Sequence, residues 1–209
     1  MSRPENQVFY ERHLPHYQLN SASIFITFRL VGSLPISILN YLAEVKRQNE
    51  LLVENISDPF ARKEAITKSN KILFGKWDGE LDLSKGESKW LSDRNVAEVV
   101  WNSIHYRDGK EYILDACCIM PNHVHMVINP LKTGEGYQSL SEIMQSLKGY
   151  TARRANIILG RSGQFWQHES YDHVVRDAGE FKRIVDYIVD NPCRAGLPAN
   201  WVYNRFENI

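Results

Sequence analysis

No stretch of the sequence approaches the roughly 18 consecutive apolar residues of a membrane-spanning helix, and Met1-Ser-Arg-Pro-Glu-Asn-Gln lacks the apolar core of a secretory signal. Cysteine is scarce. Of the three present, Cys117 and Cys118 are adjacent, too close for an ordinary disulfide, so no oxidised framework is laid out and a cytoplasmic, non-membrane protein is expected. There is no excess of charge either: 25 Lys and Arg balance 25 Asp and Glu, which excludes the global positive field of a strongly basic nucleic-acid binder and requires any DNA surface to be local. No internal repeat or low-complexity tract appears. What is there is a chain of 209 residues, 43% hydrophobic, enough for one core. It reads as a single domain over 1–209 with an insertion at about 56–110.

Ser23 to Leu30 is rich in β-branched and aromatic residues and stops near Gly32, as a strand does. After Pro35, apolar Ile38, Leu42, Val45 and Leu52 recur at helical spacing, which predicts a helix covering the sheet. Phe60 to Lys89, broken by Gly75, Gly79 and Gly86, reads as a short helix and a loop. Ser92 and Asp93 offer caps for a helix through Ile104. Tyr112 to Met120 and His123 to Asn129 form a strand pair about the turn at Pro121 and Asn122. Ser139 and Glu142 make a capping box for a long helix that stops at Gly160. His173 to Arg176 reads as a strand, and Asp177 with Glu180 caps a last helix whose Phe181, Ile184, Val185 and Ile188 face inward, ending at Asn191 and Pro192. Strands with covering helices make the class α+β.

Chemistry concentrates in two places. Side chains alternate along a strand, so His123 and His125 project from one face while Val124 enters the other, which makes a seat for a metal ion. Imidazole suits several transition metals and joins oxygen ligands in mixed sites. The bland alternative is a pair of hydrogen-bonded histidines. The second place is the capped helix, where Tyr150 borders the apolar stripe of Leu140, Leu147 and Ile158. From Ile143 to His168 there is no acidic residue, while Lys148, Arg153, Arg154 and Arg161 are basic, as phosphate contacts require and as a solvated helix face also permits. Trp166, in the run Gly163 to His168, could stack on an unpaired base. A metal beside cations would support tyrosine attack on a phosphodiester.

Several segments together resemble the REP-associated tyrosine transposases and related transposases of the single-tyrosine HUH nuclease kind. They are Arg12-His-Leu-Pro-His-Tyr, Thr27-Phe-Arg-Leu-Val-Gly-Ser-Leu-Pro, Met120-Pro-Asn-His-Val-His, Leu147-Lys-Gly-Tyr-Thr-Ala, Phe165-Trp-Gln and Asn191-Pro-Cys-Arg-Ala-Gly-Leu. The resemblance implies a ferredoxin-like core with an antiparallel sheet. It implies a divalent metal, magnesium or manganese first, on His123 and His125, and Tyr150 as a nucleophile that becomes joined to a 5′ phosphate. The implied substrate is single-stranded DNA at a hairpin or palindromic repeat, handled by a monomer or homodimer. Relatives commonly add an amide, carboxylate or imidazole ligand about one turn beyond the tyrosine. Here Arg153 and Arg154 occupy those positions and cannot ligate, which leaves Asn156 as the nearest amide. That gap keeps two alternatives open: a hairpin-binding protein impaired in cleavage, and a metallohydrolase acting through metal-bound water.

Overall fold

The computed structural model describes residues 22–83, 86, 88–133 and 136–206. The Arg12 to Tyr17 segment lies outside them. The elements run β1 (Ile24–Leu30), α1 (Ile36–Glu54), α2 (Pro59–Asp82), α3 (Arg94–Arg107), β2 (Tyr112–Ile119) and β3 (His123–Pro130). They continue as β4 (Lys132–Thr133), β5 (Gly136–Tyr137), α4 (Leu140–Ile158), β6 (Trp166–Val174), α5 (Ala178–Arg194) and β7 (Val202–Asn204).

The main sheet has the order β6-β1-β3-β2-β7, with every neighbouring pair antiparallel. Stripped of α1 and α2, the chain from β1 to β6 is a βαββαβ unit, and its strand order is that of a ferredoxin-like core. Period-two alternation sends Ile26, Phe28, Val124, Met126 and Ile128 to one face, where Val96, Val100 and Ile104 of α3 and Ile143 and Leu147 of α4 bury them. The opposite set, Phe25, Ala116, Cys118 and Val127, meets Val185 and Ile188 of α5. The two adjacent cysteines therefore lie on opposite faces. Each large aliphatic or aromatic side chain so buried contributes roughly 1.5–3 kcal/mol.

Local signals set most boundaries. Asp93 accepts from the amides of Asn95 and Val96 to start α3, the Ser139–Glu142 capping box starts α4, and Asp177 caps α5. Gly160, at φ 59°, ends α4 in the left-handed conformation that glycine adopts without strain.

Three expectations change. The short helix expected after Phe60 is a 24-residue one, α2, which runs through Gly75 and Gly79 and ends at Asp82. Asp58 caps it and Pro59 opens it, while Leu73, Trp77 and Leu81 form a helical stripe whose burial outweighs the roughly 1 kcal/mol cost of each helical glycine. Second, α1 covers α2 rather than the sheet, through Ile38, Leu42 and Val45, with Leu34 just before the helix, against Leu73, Trp77 and Leu81. Helix α3 packs in the main core, whereas α1 and α2 pack on each other as a hairpin. Third, β6 starts at Trp166, well before His173. Among the described residues, no helix is long and apolar enough to cross a membrane.

Candidate metal and nucleophile site

His123 and His125 are fully buried on the α5 face of β3, beside Thr27 and Arg29 across the β1 pairing. Asn122 donates through Nδ2 to the Leu81 carbonyl at 3.0 Å, which turns its Oδ1 toward His123 Nδ1 at 2.7 Å. An acceptor there requires a proton on Nδ1, so His123 Nε2 carries a lone pair. Thr27 Oγ1 contacts His125 Nδ1 at 2.7 Å. The two Nε2 atoms face each other at 2.9 Å. Burial pushes the His123 pKa down to about 3 and that of His125 well below the usual value, with the neighbouring His123 adding to the latter, so both imidazoles are neutral.

Helix α2 brings carboxylates to the same place. Asp78 Oδ1 stands 3.3 Å from His125 Nε2, and Asp82 Oδ1 stands 3.8 Å from His123 Nε2. Burial raises Asp78 to about 8, with Asp82 adding and Arg194 opposing, and raises Asp82 to about 6, again against Arg194. The ligating atoms of Asp78, His123 and His125 all lie within 4.8 Å of one another. Neutral imidazoles with converging nitrogens beside an unpartnered carboxylate oxygen fit a divalent cation. On the same face, the Arg29 guanidinium lies 5.0 Å over Trp77, and burial lowers its pKa to about 10.

Helix α5 supplies the rest. The Tyr187 ring centroid is 5.4 Å from that of His125, and its hydroxyl is buried without a hydrogen-bond partner. One turn on, Asn191 is 1% exposed and both its amide atoms are unpartnered. The Arg194 guanidinium lies 5.6 Å over the Tyr187 ring.

The structure brings together only part of the expected site. Tyr150, 45% exposed, sits on α4, which covers the face opposite the histidines. Asn156 is on that helix as well; its amide donates to Gly163 O and accepts from Arg161, both at 2.8 Å, closing the turn after α4. Its helix covers the sheet face opposite this pair. Trp166, 4% exposed, donates to Thr151 Oγ1 at 2.9 Å and packs on Phe28, which places its ring in the core. Lys148 Nζ donates to His168 O and Ser170 Oγ, tying α4 to β6. Arg161 stacks 3.8 Å over Trp90. Arg153 and Arg154 are exposed.

The residues that sequence reasoning missed are Asp78, Asp82, Tyr187 and Asn191. A signal for the last two existed: the spacing of four from Tyr187 puts an amide one turn beyond a tyrosine, beside the apolar stripe of α5.

Known proteins share parts of this chain. A protein of Haemophilus influenzae described as a REP-associated tyrosine transposase is 23% identical over 104 residues, 44% of this chain. The chain spans only 57% of that relative's length. A solved REP-associated tyrosine transposase bound to a REP hairpin aligns over 92% of this chain and 82% of that one, at 14% identity and a TM-score of 0.49. The family model described as "Transposase IS200 like" matches residues 83–191, more than half of the chain, and this span contains His123, His125, Tyr187 and Asn191 but not Asp78 or Asp82. The chain belongs to the IS200-like transposase family.

Proposed function

We propose that the protein nicks and rejoins single-stranded DNA at hairpin or palindromic repeats, with Tyr187 as the nucleophile and His123, His125 and the Asn191 carbonyl oxygen as donors to a divalent metal. One observation carries the assignment: a tyrosine whose buried hydroxyl has no partner packs its ring edge-on against His125. A buried hydroxyl left unpaired costs about 1–3 kcal/mol, a penalty that substrate contact removes. Asn191 Oδ1, equally unpartnered, supplies the amide that the positions after Tyr150 lack.

Tyr187 Oη attacks the phosphorus and forms a phosphotyrosine ester with the 5′ phosphate; the bond to the 3′ oxygen breaks, and that oxygen takes up a proton as the free 3′ hydroxyl. The Tyr187 hydroxyl proton passes to solvent. Rejoining is the reverse: a 3′ hydroxyl attacks the ester and restores the tyrosine. The bound metal supplies charge stabilisation at the phosphoryl oxygens. Arg194 and Arg29, cations on the same face, steady the strand's negative charge. Arg153 and Arg154, on the far side of the sheet, serve phosphates remote from the scissile one.

Labelled single-stranded hairpin DNA incubated with manganese or magnesium should migrate with the denatured protein and map to the Tyr187 peptide. Tyr187→Phe should abolish the adduct while Tyr150→Phe retains it. An adduct on the Tyr150 peptide would return the nucleophile to α4, and cleavage by wild type without any adduct would favour metal-bound water.

A further inference from the structure

We propose that Asp78 of the inserted helix α2 is a ligand of the metal held by His123 and His125, so that the ion staples the α1–α2 hairpin to the active face of the sheet. The proposal rests on the metal site described above.

The Asn122 amide, oriented by the Leu81 carbonyl of α2, forces the His123 lone pair onto Nε2. That lone pair meets His125 Nε2 at 2.9 Å. Two ligands about 2.1 Å from one ion and at right angles around it stand about 3 Å apart, so the separation is that of neighbouring ligands. Asp78 Oδ1 is 3.3 Å from His125 Nε2, its side chain is 7% exposed, and this oxygen has no hydrogen-bond partner.

Asp82 Oδ1 stands 3.8 Å from His123 Nε2, so a second carboxylate borders the same pair. A divalent ion would answer the converging nitrogens and the unpartnered oxygen together. Packing alone does not account for an aspartate here, because Leu73 and Leu81 already bury the other face of α2 against α1. Asp78 also precedes the segment that the family model matches.

The test uses the full chain stripped of metal. Manganese is titrated calorimetrically into wild type, Asp78→Asn and Asp78→Leu, and hydrogen exchange across residues 59–82 is followed with and without the ion. Wild type should bind manganese and show slowed exchange in α2. Both variants should bind at least about tenfold more weakly and lose the metal-dependent protection. Without metal, cooperative melting of both variants reports that they fold. Folded variants with wild-type affinity, or α2 exchange in wild type that ignores manganese, would overturn the staple. Wild type that binds no manganese overturns it too. The phosphotyrosine assay judges Tyr187 separately: absence of an adduct alongside Asp78-dependent binding would sink the nucleophile and leave the staple standing.

Discussion

At the scale of single residues, the hydrogen bonds behind the histidines matter as much as the histidines. His123→Ala or His125→Ala should abolish cleavage and leave hairpin affinity largely intact in a gel-shift assay, because phosphate contacts dominate DNA affinity. Cleavage by the double variant at wild-type rate in chelator would remove the metal from the reaction. Thr27→Val is the subtler change. It deletes the hydroxyl 2.7 Å from His125 Nδ1 and frees the ring to tilt or change tautomer. Metal affinity should fall about 10–100-fold by calorimetry. An unchanged affinity would assign Thr27 to packing alone. Trp166 and Lys148 carry the opposite lesson: a residue type suited to DNA is absorbed by the fold when its polar atoms find internal partners.

At the scale of elements, α2 is held to α5 and β6 by a polar knot on Glu180. Burial pushes this carboxyl up, but hydrogen bonds from Lys71 of α2 and the Arg176 amide, with His173 of β6 at 3.3 Å, outweigh it and hold the pKa at about 2, below the ordinary 4.5. A depressed carboxyl pKa contributes stability that is fully present above the unfolded value and is lost as pH falls through the folded one. Wild type should therefore lose stability between about pH 4.5 and 2, and the loss should be shallower in Glu180→Gln. Urea midpoints measured across that window decide it: parallel curves would mean that Glu180 contributes no ionised-state stability. The α1–α2 hairpin thus docks through the Lys71–Glu180 ion pair and through Phe74, which packs on Phe25 and Tyr171, while Asp78 faces the histidines.

At the scale of the whole molecule, the proposed handling of DNA by a chain with balanced charge requires local patches. Arg153 and Arg154 are the exposed remainder of the basic run on α4. Charge reversal at both should weaken binding across sequences and lower the slope of log affinity against log salt by about 0.9 for each phosphate that is no longer neutralised. Equal slopes would return them to a solvated face. The sequence by itself determined the strands, the caps and the pairing of His123 with His125 on one face, because alternation and capping are local rules that a few residues satisfy alone. It also carried the tyrosine and amide of α5, one turn apart. Only the tertiary structure decided which tyrosine meets the histidines. That choice depends on which side of the sheet each helix covers: the ferredoxin-like crossovers place α3 and α4 on one face and leave the other to α5 and the inserted α2. Helical periodicity tells where a helix is apolar, not which face of a distant strand it will bury, and for that reason Tyr150 and Tyr187 look alike until the sheet is assembled.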